Sequence, residues 1–73
     1  MKKIRRLLLK IVLNGKIVET DKTNLEDFCN SLGFSDSKIA TALNGDFVPA
    51  NLRRETHLTT DDRVEIVSPR QGG

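Results

Sequence analysis

The chain has 73 residues, with three Phe and neither Trp nor Tyr, and a chain of this size buries only about 60% of the surface its unfolded form exposes. So small a core leaves little room for a deep catalytic cleft, which favours a binding or carrier module, and there is no aromatic platform for stacking nucleic-acid bases. The net charge of +2 is unevenly spread: five of the twelve Lys and Arg residues (Lys2, Lys3, Arg5, Arg6, Lys10) lie in the first ten positions and all ten Asp and Glu follow, a mildly acidic body behind a basic leader that speaks against a folded nucleic-acid-binding face.

Cys29 is the only cysteine, so no internal disulfide is possible and a reducing compartment is expected, the cytoplasm or a plastid stroma. Leu7-Leu8-Leu9 is broken by Lys10 and lacks the uninterrupted apolar stretch of a secretory signal. No stretch is long enough to span a membrane, so no membrane partner is expected.

Residues 1–9 form a basic N-terminal extension with three open readings: a longer first strand, a frayed end, or a short amphipathic segment touching anionic lipid or a partner. Lys10 to Leu13, Asn14-Gly15 and Lys16 to Glu19 then read as a hairpin, because a type I′ turn needs positive φ at both central residues and Asn-Gly supplies it. A two-residue loop sets the register: Leu13 faces Lys16, Val12 faces Ile17, Ile11 faces Val18 and Lys10 faces Glu19. Ile11, Leu13 and Val18 share the core face.

Thr23-Asn24-Leu25-Glu26 reads as a capping box opening a helix over about Asn24 to Leu32. Leu25, Phe28, Cys29 and Leu32 form its apolar stripe, while Gly33 is placed to close it in the left-handed conformation with Phe34 folding back. After a polar loop at Ser35-Asp36-Ser37, Lys38 to Leu43 reads as a strand covered on much of both faces. Asn44-Gly45 turns it into Asp46-Phe47-Val48, which Pro49 ends. Ala50 to Thr56 reads as a polar connector with one helical turn carrying Leu52 inward, and Leu58 is the next apolar anchor. Thr59 to Asp62 is a turn, and Arg63 to Val67 alternates as a half-buried final strand with Val64 and Ile66 inward. Residues 69–73, Pro69-Arg70-Gln71-Gly72-Gly73, are a C-terminal tail expected to be mobile without a partner.

Hairpin, helix, strand, short strand, connector and final strand make an α+β domain over residues 10–68. Its expected form is the β-grasp, or ubiquitin-like, arrangement: a mixed four- to five-stranded sheet with one main helix packed across it.

With those segments in place, the chain resembles the small sulfur carrier proteins of thiamine (thiazole) biosynthesis, the ThiS family. The residues that carry the resemblance are Val12-Leu13-Asn14-Gly15, Ala42-Leu43-Asn44-Gly45-Asp46-Phe47-Val48-Pro49, and the terminal run from Val64-Glu65-Ile66-Val67 through Ser68-Pro69-Arg70-Gln71-Gly72-Gly73. They span about residues 10–73. Two departures are visible: Asp61-Asp62 stands where the family usually has Gly-Asp, a change that Asp tolerates at a small cost in stability, and the basic leader is longer than usual.

The resemblance implies a carrier and not an enzyme. An adenylating enzyme of the ubiquitin-activating type would consume ATP to activate the carboxylate of Gly73. Sulfur delivered by a cysteine desulfurase or another persulfide donor would convert it to a thiocarboxylate, and thiazole synthase would receive the sulfur. No cofactor is implied as stably bound. Gly72 allows the tail to bend, Pro69 stiffens its root, and Arg70 and Gln71 can bond along the partner's channel. Phe47, Val48 and Val67 are candidates for docking the activating enzyme, with ordinary core or edge packing as the competing reading.

Elsewhere the plain readings lead. Cys29 on the apolar stripe reads as an inert core thiol rather than a sulfur relay. His57 has no second His or Cys at ligand spacing, so no metal site is expected. Asp61 and Asp62 read as solvated turn residues. Competing functions are a molybdopterin-synthase sulfur carrier, a ubiquitin-like protein modifier joined through Gly73, and a basic-armed adaptor working through residues 1–9.

Overall fold

The structure is a computed structural model that describes residues 7–34 and 38–68. The expectations for residues 1–6, for the loop 35–37 and for the tail 69–73 lie outside the described residues. Five strands form one mixed sheet in the order β2-β1-β5-β3-β4, with β1 Leu9–Leu13, β2 Lys16–Thr20, β3 Ala40–Leu43, β4 Asp46–Val48 and β5 Arg63–Val67. One helix, α1, spans Leu25–Ser31, and a 3₁₀ turn spans Ala50–Leu52. This is the expected β-grasp arrangement.

The first hairpin has the register its turn demands, with Ile11 opposite Val18 and Leu13 opposite Lys16. Asn14 at φ 49° and Gly15 at φ 87° supply the two positive φ angles. The second Asn-Gly turn repeats the device and pairs Leu43 with Asp46 and Thr41 with Val48. β5 enters between the two hairpins, parallel to β1 and antiparallel to β3. Ile11, Val64, Ile66 and Val48 from one sheet face pack with Leu25, Phe28 and Cys29 of α1 and with Leu58 to form the core. Leu13 and Val18 pack at its margin.

The helix is capped one residue later than the sequence suggests. Asn24, in extended conformation, is the N-cap, and its Oδ1 accepts from the Asp27 N–H at 2.8 Å. The Thr23-to-Glu26 capping box is therefore replaced by an Asn24–Asp27 pair, closed by Asn24 Nδ2 donating to Asp27 Oδ2. Thr23 is committed elsewhere, because its carbonyl accepts from Leu58 N–H. The other free donors of the first turn are met by the connector: Leu25 N–H donates to Thr56 O at 2.9 Å and Glu26 N–H to Arg53 O at 3.2 Å. Glu26 and Asp27 in this turn also complement the helix dipole.

At the other end Gly33 takes φ 93°, its N–H bonding Asn30 O while Phe34 N–H bonds Cys29 O. That is the Schellman closure expected of a C′ glycine. Leu32, expected on the apolar stripe, is the C-cap and is exposed. Phe34, folded back by the cap, packs against the margin of the core.

Three further expectations are corrected. β3 starts at Ala40 rather than Lys38 and is not covered on both faces, since Ala40 is exposed and Thr41 is its one fully buried residue. Leu52 does not point inward. The neighbouring Arg53 does, at 5% exposure. Its Nε donates to Thr41 Oγ1 at 3.1 Å and a terminal nitrogen donates to Ile39 O at 2.7 Å, while Thr41 Oγ1 donates to Val48 O. An apolar Leu in that place would leave Ile39 O and Thr41 Oγ1 without these donors, which explains why the longer polar side chain is the one taken inside.

The turn before β5 is welded to β1: Asp61 N–H donates to Lys10 O, Lys10 N–H to Thr60 Oγ1, and Asp62 Oδ2 accepts from Thr59 N–H. Asp61 adopts φ 76°, the left-handed conformation that the Asp-for-Gly departure requires. Asp61→Gly should therefore raise stability by about 0.5–1 kcal/mol, seen as an upward shift in thermal midpoint. A fall would show that the Asp61 side chain stabilises the turn more than its backbone strains it.

Burial pushes the Cys29 thiol above the ordinary thiol range, only partly opposed by the nearby Arg53 guanidinium. The folded state therefore holds this proton more tightly than the unfolded state. The resulting stability is fully present below the ordinary thiol pKa and declines as pH rises through the folded value. Cys29 should resist a thiol reagent at neutral pH in the folded protein and react at once in denaturant, and Cys29→Ala should flatten the alkaline loss of stability.

Candidate functional site

Two of the three docking candidates singled out by the sequence, Phe47 and Val67, fall on the sheet face opposite α1. Alternation along a strand sends neighbours to opposite faces, so Val48 and Ile66 face the helix while Phe47 and Val67 face away. Phe47 on edge strand β4 is 69% exposed and Val67 near the end of β5 is 58% exposed. Between them runs β3, where Ala42 lies opposite both Phe47 and Glu65, and Ala40 lies opposite Val67. Two small side chains thus separate two large exposed ones, giving a shallow apolar strip that ends where β5 gives way to the chain leading to Gly73.

Val48 does not belong to this strip. It is buried in the core, and the period of two forbids it from sharing a face with Phe47. Sequence reasoning missed Ile17, which is 71% exposed and lies opposite Val12 on the same helix-free face. The signal was present in the hairpin register, which places the Val12–Ile17 pair off the core face. Lys10 and Glu19 of the hairpin and Arg63 and Glu65 of β5 also alternate onto this side, so the face is mixed in charge around its apolar positions.

The other candidates among the described residues sit in structural settings. Cys29 is enclosed by the core. His57 is exposed and forms a single antiparallel bridge with Asn24, part of the tie between connector and helix. Asp62 accepts from Thr59 N–H and from Asn44 Nδ2, which is turn chemistry. Among the described residues, no three His, Cys, Asp or Glu side chains gather as a metal site, and no helix is long and apolar enough to cross a membrane. The candidate reactive residues Pro69, Arg70, Gln71, Gly72 and Gly73 lie outside the described residues.

β5 itself is fixed with care. Asn14 Oδ1 accepts from Ile66 N–H at 2.9 Å and Asn14 Nδ2 donates to Ile66 O at 3.2 Å. On the opposite flank Asn44 Oδ1 accepts from Arg63 N–H at 2.9 Å and Asn44 N–H donates to Arg63 O at 2.8 Å. The asparagines that make the two hairpin turns therefore also hold the last strand in place.

The geometry is that of a small body with an exposed apolar strip and a braced final strand, and it has solved counterparts. The crystal structure of the thiamine biosynthesis protein (ThiS) from Geobacter metallireducens superposes with a TM-score of 0.75 at 22% sequence identity, covering 89% of this chain and 100% of that one. At that identity the likeness shows the fold. No curated protein sequence matches the chain. The ThiS family model matches residues 8–73, nearly the whole length and through the final glycines, so the chain belongs to the ThiS family of sulfur carrier proteins.

Proposed function

We propose that this sulfur carrier of the thiamine pathway bears its sulfur as a thiocarboxylate on Gly73. The observation that carries the reading is the family match running through Gly72 and Gly73 on a β-grasp body. A carboxylate oxygen of Gly73 attacks the α-phosphorus of ATP in the activating enzyme, pyrophosphate leaves, and the acyl group becomes a mixed anhydride with a good leaving group. A persulfide sulfur then attacks the carbonyl carbon and AMP departs. Cleavage of the resulting S–S bond by a thiol leaves the thiocarboxylate, whose soft, ionised sulfur is passed to thiazole synthase.

The chain supplies position rather than catalysis. Gly73 has no β-carbon to shield its carbonyl, Gly72 passes a narrow channel, and Arg70 and Gln71 offer hydrogen bonds along it. The strip of Phe47 and Val67 docks the activating enzyme: both are exposed and apolar, and Val67 ends the strand that leads to the tail, as suits an anchor for a threaded chain end. ATP is consumed by the partner, and the sulfur reaches it from a cysteine desulfurase or another persulfide donor.

Incubation with the activating enzyme, ATP and a sulfur source should shift the intact mass by the exchange of one oxygen for one sulfur. No shift would sink the proposal, and isopeptide-linked products without a thiocarboxylate form would assign the chain to protein modification. Deleting Gly72 and Gly73 should abolish the shift, whereas deleting residues 1–9 should preserve it.

Phe47→Asp should lower kcat/KM for activation by more than about tenfold, as for a central docking anchor. Its unfolding free energy should stay within about 0.5 kcal/mol of the parent, since the ring is exposed. A parent-like activation rate would remove Phe47 from the interface.

A further inference from the structure

We propose that Asn14 is a positioning residue for the reactive C-terminus: its side-chain amide clasps Ile66, three residues before Pro69, and sets how the chain leaves the sheet. The inference rests on the sulfur-carrier reading and adds to it a residue at the far end of the sequence.

The β1–β5 pairing is short. Val12 pairs with Arg63 and Leu13 with Val64, and there β1 ends because the chain turns at Asn14-Gly15. β5 continues through Glu65, Ile66 and Val67. In a parallel ladder one residue bonds two residues of its neighbour, donating from its N–H and accepting at its C=O. Asn14 does this with mixed parts: its backbone N–H donates to Val64 O at 2.9 Å, while its side-chain Oδ1, in place of a backbone carbonyl, accepts from Ile66 N–H. Nδ2 adds the donor to Ile66 O. One amide thus satisfies both backbone groups of Ile66 on a flank where β1 has already turned away.

The clasp sits where β5 gives way to the tail. On the β3 flank the final pairing is Ala40 with Val67. With Asn14 on the other flank, β5 is held on both sides up to its last residues. A root held on both sides restricts the directions open to a threaded tail, and less entropy is then lost when the tail enters a channel. Asn44 provides an internal comparison: on the other flank it holds Arg63, at the start of the strand, through one side-chain bond and one backbone bond. Asn44→Gly would remove one side-chain bond to β5, at its first residue, and Asn14→Gly would remove two, at Ile66 near its last.

The test compares Asn14→Gly with Asn44→Gly, both of which keep a residue at ease with positive φ in the turn. Each is assayed with the activating enzyme by ATP–pyrophosphate exchange, at a temperature where circular dichroism shows it folded. Asn14→Gly should lose about tenfold in kcat/KM, the loss expected from one or two hydrogen bonds, and the loss should fall mainly on kcat, because docking through Phe47 and Val67 is untouched. Asn44→Gly should stay within about twofold. Hydrogen exchange at the Ile66 amide should quicken in the first variant and not in the second. Asn14→Asp, which keeps the acceptor but sets a second oxygen against Ile66 O, should behave as Asn14→Gly does and replaces it if that variant does not fold. Equal losses in the two turns, or no loss in either, overturn the role of Asn14 while leaving the carrier reading intact. An unmodified chain that supports no exchange at all overturns the carrier reading and the inference with it.

Discussion

The two hairpins of this protein are joined in the sheet only through β5. β1–β2 and β3–β4 are each closed by a two-residue turn and could form locally, but the sheet order places the last strand between them. Every feature of consequence depends on that insertion. Val64 and Ile66 bring the apolar side chains that join the two hairpin faces into one core, and the outward residues of the same strand complete the exposed strip. The strand then runs on to the tail. β5 is bonded on both flanks, and the backbone groups of Arg63 and Ile66 are met by residues that themselves make the turns, Asn44 and Asn14. The segments that reverse the chain also fasten its end.

The core is small, and it is completed by polar means. A helix of seven residues covers one sheet face, and beside it the space under β3 and β4 is filled by Arg53 and Thr41 rather than by another aliphatic pair. The guanidinium acts as a hydrogen-bonding strut between the connector and β3. Backbone groups of the connector do the same for the helix, since the carbonyls of Arg53 and Thr56 serve the first-turn donors. The connector is therefore a structural element despite its brevity, and its polar composition reflects that duty. A lysine could not reproduce the fork at Arg53, because it presents one point charge instead of several fixed donors.

Local rules were legible in the sequence and distant ones were not. Asn-Gly in a two-residue loop dictated both hairpin registers, Gly33 dictated the helix end, and the alternation of Arg63 to Val67 identified which side chains go inside. The helix cap was misjudged by one residue because Thr23 and Asn24 are both competent caps. The choice is made by Leu58, far along the chain, which engages the Thr23 carbonyl. Hydrophobicity alone points Leu52 inward, yet the Ile39 carbonyl just before β3 and the Thr41 hydroxyl on it take their donors from Arg53. Of the three side chains grouped as docking candidates, Phe47 and Val67 are exposed and Val48 is buried, because the period of a strand sends Val48 to the face opposite its neighbour Phe47. Ile17 went unnoticed because the register was used only to choose the core. The clasp of Asn14 on Ile66 joins residues 52 positions apart, and no pattern within either segment announces it.

The central place of β5 also has a meaning in time. During synthesis the hairpins and the helix emerge first, and each hairpin then carries an open flank that only β5 can close. Long-range pairing of this kind is the slow part of folding, since loop closure must precede the contacts that reward it. A chain whose end is missing or damaged within β5 would lose the centre of its sheet along with the root of its tail. Completion of the fold thus serves as a check on the chain's far end: a closed sheet is one whose last strand has arrived.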